Sequence, residues 1–411
     1  MANGINNGRK LLPLFLSGWL NSPRLRPYLR VLFTLVIVVA GGRTVLQSYR
    51  MGMDFQWDAT YLLLQGVNPY TATAEGIIVE PQLFPLLVPY LPSTLLLLTP
   101  YALVPYEIAR HLWIGSNVVF TFGTVFLLFP VFLDRRGTVN EVLSLVAIWV
   151  ISTPWSTGMS LGQHTLFALF FFVVALYFGK KQRAGWAGIF LAFAWLKYVV
   201  TFPLALYFVH KRWTRALGIA IGVHLLLHGI AAFLLQESSW ELFLQPLRVA
   251  PIMLERGGFL DLTAVQRLVV FLFPEFRVWV VGLYTFAVVG AILLVFIAYH
   301  AAPQYETYVL TILCMATLIL LYSINYDFVI LILPLFFLLY KDIKPLPQSG
   351  HILLALAIGG VFYVTRITNI VVGVTPIAVA TVIAQVTLLS LVTLYYATVS
   401  MLFAKSRALF Y

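Results

Sequence analysis

Two carboxylates beside the first long apolar stretch are the leading candidates for catalysis. Asp54 and Asp58 lie in segment 53–70, which reads MDFQWDATYLLLQGVNPY. Only 10% of the 411 residues are charged, and carboxylates next to hydrocarbon are costly to keep unless they serve a function. An acidic pair with aromatic neighbours at this position therefore predicts a catalytic site.

The spacing of the pair fits a general base. If the segment is helical, Asp54 and Asp58 stand at i and i+4 on one face, with Trp57 and Tyr61 on the same stripe. Desolvation between aromatic rings and lipid headgroups raises the pKa of a carboxyl group, which suits proton abstraction. The alternative is an interfacial helix whose acids are solvated and whose aromatic rings are anchors.

A sharp turn is predicted directly after these acids. Gly66 permits a helix stop with positive φ, and Asn68-Pro69 starts a turn that leaves Tyr70 at the membrane interface. On its own this pattern predicts only an exit from a helix. Its interest lies in its closeness to Asp54 and Asp58.

Lys197 interrupts the apolar run AGIFLAFAWLKYVVTFPLALYF. An ammonium group at that depth is costly, so it should face a wet cavity or an anion, and phosphate is the natural partner of a buried point charge. The alternative is that the side chain extends to the membrane surface.

Two further polar insertions could contact a substrate. Gly162-Gln163-His164 offers an amide and an imidazole that suit hydrogen bonding to hydroxyl groups, and Tyr326-Asp327 stands between two apolar runs. Either could instead cap a helix, and on these residues alone capping is favoured.

The residues that could bind a metal give little support for a metal site. His224 and His228 are four apart, a spacing that can hold a metal, but no acid lies nearby in sequence, so helix packing is favoured. Cys314 is the only cysteine and is interpreted as a small core residue. We expect no metal and no cofactor.

Composition identifies an all-α polytopic membrane protein. Hydrophobic residues make up 61% of the chain, and several apolar runs reach the ~20 residues that cross a bilayer. Residues 1–411 are predicted to form a single integral membrane domain. The net charge of +11 comes from short basic clusters between apolar runs, which is typical of cytoplasmic loops rather than of nucleic-acid binding.

About twelve transmembrane helices are expected, with both termini inside and no cleavable signal peptide. Segments 50–84 and 236–277 are predicted to be external loops with their own helices. The predicted helices are 31–49, 86–104, 109–132, 142–157, 163–179, 186–209, 216–235, 278–299, 308–322, 328–340, 352–366 and 377–403.

One conflict remains within this topology. If every helix crosses once, the basic clusters 134–136 and 180–183 lie outside, whereas the positive-inside rule places them inside. Some segment between residues 85 and 210 is therefore not a simple span. The prolines at 85, 89, 92, 100 and 105 and the Lys197/Pro203 break make short or re-entrant segments plausible, as occur where backbone lines a cavity.

The order of motifs resembles glycosyltransferase family 87. The motifs are DFQWDATYLLLQGVNPY, YLPSTLLLLTPYALVP with Trp113 and Asn117, SLGQHTLFALFFFVVAL, AGIFLAFAWLKYVVTFPLALYFVHKRW and YSINYDFVILILPL. The resemblance implies a GT-C-type helical bundle and a polyprenyl-phosphate-sugar-dependent transferase, similar to the mycobacterial enzyme that adds mannose to phosphatidylinositol mannosides. It implies that Asp54 is the catalytic base. The interval from Asp54 to Pro69 is shorter than the family's pattern, which leaves Asp58 as the alternative.

The resulting hypothesis is a hexosyltransferase, with mannose as the expected sugar, in the bacterial cytoplasmic membrane. It would use a polyprenyl-phosphate-linked donor and a lipid or glycan acceptor on the non-cytoplasmic face. The alternatives are a lipid-linked glycan transporter or flippase and a glycan polymerase. The residues expected to bind substrate are Trp57, Tyr70, Gln163, His164, Lys197, Tyr326 and Asp327.

Overall fold

In the part of the chain that it describes, the computed structural model of the protein consists of helices joined by turns and loops, with no strands. That part comprises residues 22–50, 54–76, 88, 90–257, 301, 303–320, 325–341, 343, 346 and 348–364. The all-α prediction is thus confirmed for these residues. The predicted helices 278–299 and 377–403, and residues 258–277 of the second predicted loop, lie outside the described residues.

Four helices in the described residues are long and apolar enough to cross a membrane, or five if a bent pair counts as one span. The four are Arg26–Arg50, Tyr106–Phe132, Ala184–Leu204 and Thr214–Leu235, and the pair is Val139–Val150 with Thr153–Ser160, bent by 73°. The expected twelve spans are not confirmed. The shorter helices between and after them are Thr165–Lys180, Leu206–His210, Glu306–Leu320, Ile332–Tyr340 and Gln348–Gly359.

Local sequence explains where several helices begin. Thr138 and Glu141 form a capping box at the start of Val139–Val150, and Ser152 accepts a hydrogen bond from the backbone N–H of Trp155 at the start of the next helix. Such caps satisfy backbone N–H groups that the helix leaves free. They fix the two halves of the bent pair independently, which permits the 73° change of direction.

One end of the bundle collects basic side chains, and we call it the basic end. Arg30 donates a hydrogen bond to Asn140, Arg135 pairs with Glu141, and Lys180 pairs with Asp134. Lys211 and Lys341 both pair with Glu306. Basic side chains as distant in sequence as Arg30 and Lys341 therefore lie at one end of the molecule.

The opposite end is built from short helices, and we call it the loop end. Arg110 donates to the carbonyl of Ser48, and the Trp113 indole donates to the carbonyl of Gly162, so the first long helix, the start of the second and the 161–164 turn meet there. The short helices of this end are Trp57–Leu64, Pro69–Glu75, Pro92–Leu96 and Thr99–Ala102, with Ser239–Gly257 following Thr214–Leu235.

The conflict in the predicted topology is resolved by the segment predicted as helix 86–104, which is not a span. Its described part forms only Pro92–Leu96 and Thr99–Ala102. Pro92 and Pro100 lie in the first turns of these two helices, where proline is tolerated, whereas proline inside a longer helix would interrupt it. The prediction of a span there is wrong. Without that crossing, clusters 134–136 and 180–183 fall at the basic end with Lys211 and Lys341, as the charge pattern indicates.

The segment predicted as helix 186–209 overlaps Ala184–Leu204, which is long and apolar enough to cross a membrane, but it turns back at Lys197 and forms a helical hairpin rather than one crossing. The Thr201 hydroxyl donates to the carbonyl of Ala194, 2.6 Å away and seven residues back, a contact that a straight helix does not allow. Gly179, just before the hairpin, lies so close to Trp213, just after it, that a Cβ at Gly179 would collide with the indole. Both arms therefore leave from the basic end, and Lys197 lies at the tip.

We expect the Glu306 carboxylate to hold the basic end together. Glu306→Gln should lower the free energy of unfolding by about 1–2 kcal/mol, because it removes the shared partner of Lys211 and Lys341 in a half-buried position. Thermal unfolding in detergent measures the change. Glu241→Gln, which breaks the exposed pair with Arg248, is the matched control and should have almost no effect. Equal shifts for the two variants would contradict the assignment.

Candidate active site

Asp54 lies in a loop, not on a helix. Its backbone N–H donates to the carbonyl of Leu161 at 2.8 Å, and Gln56, with φ of 58°, precedes the helix Trp57–Leu64. A non-glycine residue with positive φ breaks helical geometry. The expectation that Asp54 and Asp58 share a helix face is therefore wrong, since only Asp58 belongs to the helix.

Two amide groups fix the orientation of the Asp54 carboxyl group. Gln56 Nε2 donates to Oδ1 at 2.5 Å, and Gln163 Nε2 donates to Oδ2 at 2.9 Å. The residue keeps an exposed surface, while the protein atoms around the rest of the group raise the pKa of its carboxyl by desolvation. The hydrogen bonds from Gln163 and Gln56 and the charge of Lys197 oppose that shift. The result is an oriented carboxyl group with a raised pKa, which suits a general base.

Asp58 occupies a different environment. It is 3% exposed and lies in the first turn of its helix. Its neighbour Trp57 donates to the carbonyl of Val104 at 3.1 Å and stacks on Tyr61, with ring centroids 5.0 Å apart. These rings form one wall of an open groove of about 460 Å³, lined by Trp57, Tyr61 and residues 102–107. Roles for Asp58 and Trp57 in the reaction stay predictions.

The turn before the helix Thr165–Lys180 carries Gln163 and His164 to Asp54. Gly162 has φ of +65°, a conformation that glycine adopts without strain, and its carbonyl accepts the Trp113 indole N–H at 2.8 Å. Trp113 also stacks on Phe55, with centroids 5.5 Å apart. The turn and the Asp54 loop are therefore held against the same indole.

His164 connects the Asp54 loop to a tyrosine. Its Nε2 lies 3.0 Å from the carbonyl oxygen of Phe55, and its Nδ1 lies 3.0 Å from the hydroxyl of Tyr90. Burial and the positive charge of Lys197 lower the pKa of His164 to about 3. The imidazole is therefore neutral at physiological pH. His164 is the N-cap residue of the helix that follows, but its side chain makes no capping hydrogen bond, so the interpretation of the imidazole as a helix cap is wrong.

Lys197 lies at a break in the backbone. The 3-10 turn Trp195–Lys197 interrupts the hairpin, and Lys197 has φ of −106° and ψ of 65°. Its ammonium is 3.9 Å from Asp327 Oδ1 and 3.5 Å from the Tyr90 hydroxyl. At 6% exposure it does not extend to the surface. The alternative that the side chain reaches the membrane surface is therefore wrong, while the expected wet cavity and the binding of a phosphate stay predictions.

Asp327 and Tyr326 complete the surroundings of Lys197. Asp327 is fully buried and accepts the Thr165 hydroxyl hydrogen at 2.7 Å, and the Tyr326 ring lies 5.1 Å from the Lys197 ammonium. Both residues sit in the 3-10 helix Asn325–Leu331, and the hydrogen bond from Thr165 connects Asp327 to the helix Thr165–Lys180. Contacts over such distances combine ion-pair and cation–π attraction.

Tyr70 is buried rather than at the membrane interface. It is 2% exposed, and its hydroxyl donates to the carbonyl of Tyr90 at 2.5 Å. Asn68 caps the helix Pro69–Glu75 and donates from its amide to Glu237 and Gln245. The predicted turn is confirmed, with Gly66 at φ of +74°. It ties the Asp54 segment to the helix Ser239–Gly257, and a contact of Tyr70 with substrate stays a prediction.

One connected cluster therefore contains most of the predicted site residues. Asp54, Gln163, His164, Lys197, Tyr326 and Asp327 belong to it, whereas Trp57 lines the separate groove and Asp58 is buried in the helix Trp57–Leu64. Sequence reasoning missed Tyr90, Gln56 and Thr165. The available signal for Tyr90 was its place between prolines 89 and 92, where a continuous span is disfavoured.

The histidines with metal-ligand spacing serve packing. His224 bonds to Ser93 and to the carbonyl of Ala192, and His228 bonds to the carbonyl of Ser239. In the described ranges, no group of three or more His, Cys, Asp or Glu side chains could hold a metal ion. Cys314 is buried and free, as expected of a core residue.

Comparison with known proteins gives one match. The model of glycosyltransferase family 87 matches residues 89–323, more than half of the chain. The matched residues include Tyr90, Gln163, His164 and Lys197, while Asp54 and Asp327 lie outside them. No curated protein and no solved structure matches the chain.

We expect Lys197 and Asp327 to be energetically coupled. Asp327→Asn should lower the free energy of unfolding by about 3 kcal/mol, because it leaves a buried ammonium without its compensating charge. Adding Lys197→Met to that variant should recover most of the loss. Thermal unfolding of the two single variants and the double variant in detergent gives the coupling energy. Strictly additive losses would contradict the pairing.

Proposed function

Since the chain belongs to glycosyltransferase family 87, and is thus a membrane glycosyltransferase, we propose that it transfers mannose from polyprenyl phosphate to a hydroxyl group of a lipid or glycan. One observation carries the proposal. A carboxyl group suited to proton abstraction and a buried ammonium suited to binding a phosphate lie in one hydrogen-bonded cluster, joined through His164 and Tyr90.

The cluster supplies the two functions that such a transfer needs. Asp54 removes the proton of the acceptor hydroxyl as its oxygen forms a bond to the anomeric carbon, with inversion at that carbon. The bond between the anomeric carbon and the phosphate oxygen breaks, and polyprenyl phosphate leaves with the electron pair. Lys197 stabilises the charge that develops on the leaving phosphate in a site of low dielectric constant. We expect the reaction to need no metal, since a lipid phosphate is already a fair leaving group.

The remaining side chains of the cluster would orient the substrates. Gln163 can contact a hydroxyl near Asp54, and Tyr326 and Asp327 lie beside the Lys197 ammonium. Trp57 lies on the wall of the neighbouring groove, where an aromatic face could contact a sugar ring of the acceptor. Tyr70 would act by supporting Tyr90.

The orientation in the membrane follows from the charges. The positive-inside rule places the basic end, with Lys180, Lys211 and Lys341, in the cytoplasm. Asp54 at the loop end then faces the non-cytoplasmic side, and the proposed location is the bacterial cytoplasmic membrane. The donor and the acceptor lipid would both reach the site from that leaflet.

A lipid-linked glycan transporter or flippase is the alternative. Lys197 would serve either function, because a phosphate has to be bound in both. An oriented carboxyl group with a raised pKa is required only if a hydroxyl is deprotonated, and Asp54 therefore favours the transferase. A glycan polymerase would use the same chemistry with a longer acceptor.

We expect Asp54→Asn to reduce transfer by at least about 10²-fold, because an amide cannot take the acceptor proton. The assay uses protein reconstituted in liposomes, radiolabelled polyprenyl-phosphate mannose and membrane lipid as acceptor. Asp58→Asn is the matched control for the same change of charge in the same segment. If Asp58→Asn abolishes transfer and Asp54→Asn does not, the base is Asp58. Wild-type rates for both variants would refute a carboxylate base in this segment.

The rate should depend on pH through Asp54. Only the ionised carboxylate accepts a proton, so kcat/KM should rise with pH, and because burial raises the pKa of Asp54 the midpoint should lie above that of an ordinary aspartate. The pH profile of wild-type transfer measures this midpoint. The residual activity of Asp54→Asn should lack that rise. A wild-type rate that falls over the same range would exclude this role.

A further inference from the structure

The Tyr90 hydroxyl lies between the two functional groups of the cluster. It is 3.0 Å from His164 Nδ1 and 3.5 Å from Lys197 Nζ. Its ring contacts the same two groups, with the ammonium 5.7 Å from the ring centroid and the imidazole edge-on at 4.9 Å. At 4% exposure, this side chain has little freedom to turn away.

The hydrogen atoms in this network have one consistent arrangement. The carbonyl of Phe55 can only accept, so His164 Nε2 carries the hydrogen of the neutral imidazole and Nδ1 is an acceptor. The Tyr90 hydroxyl must therefore donate to Nδ1. Its oxygen then has a lone pair for Lys197, whose ammonium has only hydrogens to offer. The hydroxyl is thus committed as a donor on one side and an acceptor on the other.

This arrangement fixes the direction of the Lys197 ammonium. The Asp327 carboxylate and the Tyr90 hydroxyl lie 3.9 and 3.5 Å from the ammonium, and the Tyr90 and Tyr326 rings lie beside it, so these groups limit the directions in which its hydrogens can point. An ammonium has three hydrogens. The hydrogen that points neither to Tyr90 nor to Asp327 can be donated to a phosphate oxygen.

The Tyr90 backbone is held from a further direction. Its carbonyl accepts the Tyr70 hydroxyl at 2.5 Å, and Tyr70 follows Asn68, which is bonded to Glu237 and Gln245. The position of Tyr90 is therefore set by the loop end, while Lys197 arrives from the basic end on its hairpin. The hydroxyl is the point at which these two parts of the fold meet.

We propose that Tyr90 is a positioning residue of the transfer reaction, which sets where the Lys197 ammonium meets the donor phosphate relative to the loop that carries Asp54. This inference rests on the proposed function and deepens it. Tyr90 makes no bond to substrate. It acts through Lys197 on one side and through His164 and the Phe55 carbonyl on the other.

The test measures the Kd of polyprenyl phosphate, which requires no turnover, and the donor KM for polyprenyl-phosphate mannose. Tyr90→Phe should weaken both by about tenfold, which corresponds to the lower end of the range for a hydrogen bond to a charged group. Lys197→Met should weaken them at least as much. Adding Tyr90→Phe to Lys197→Met should cause no further loss, because the hydroxyl acts through the ammonium.

Two other variants separate positioning from folding. Tyr101→Phe also removes one tyrosine hydrogen bond, to Ser116, from a ring that contacts Trp113, and it should leave Kd and KM unchanged. If Tyr90→Phe does not fold, His164→Gln tests the same relay by removing the imidazole acceptor, and it should weaken Kd several-fold.

The outcomes of this experiment distinguish the two proposals. If Lys197→Met weakens binding of polyprenyl phosphate but Tyr90→Phe leaves its Kd unchanged, the role of Tyr90 alone is overturned. The same conclusion follows if Tyr90→Phe weakens binding equally in the wild type and in the Lys197→Met variant. An unchanged Kd in His164→Gln also overturns it. An unchanged Kd in Lys197→Met removes the phosphate site itself. Binding of polyprenyl phosphate without any sugar transfer by the wild type overturns the proposed function.

Discussion

The burial of one ammonium group governs the arrangement of the site. Lys197 is almost fully enclosed in a helical bundle, where an uncompensated charge costs several kcal/mol. Compensation comes from three directions: the Asp327 carboxylate, the Tyr90 hydroxyl and the faces of two tyrosine rings. Each of these groups is supplied by an irregular or short helical segment. The breaks in regular structure therefore lie where the charge has to be surrounded.

The loop end supports the acid side of the same site. Asp54 is oriented by two glutamine amides, and Trp113 contacts both Phe55, the residue after Asp54, and the turn that carries Gln163. None of these contacts is local in sequence except that of Gln56. The oriented carboxyl group depends on tertiary structure throughout, which allows its pKa to be raised without loss of the hydrogen bonds that direct it.

Sequence reasoning found the chemistry of the site better than its geometry. Asp54, Lys197 and Asp327 stand out because charge is rare and costly in an apolar chain, a signal that needs no structure. Their neighbours are harder to find, since Tyr90 is an ordinary residue in a proline-rich run until its contacts are known. The helix expected through Asp54 is absent because Gln56 adopts a left-handed conformation that a helix-period pattern does not reveal. The clusters of basic residues predicted the topology better than the number of apolar runs did. A basic cluster indicates at which end of the bundle a loop lies, whether or not the apolar segment before that loop crosses the membrane.

The length of the hairpin that carries Lys197 determines where the lysine lies. Both arms are held at the basic end, where Trp213 packs against Gly179 and Lys211 pairs with Glu306. The distance of Lys197 from the basic end therefore depends on the number of residues in each arm. One added residue in an arm would shift the lysine by about 1.5 Å and rotate it by about 100°. The length of the arms thus sets the position of the lysine, and a deletion far from the chemistry would displace the ammonium from the groups that surround it.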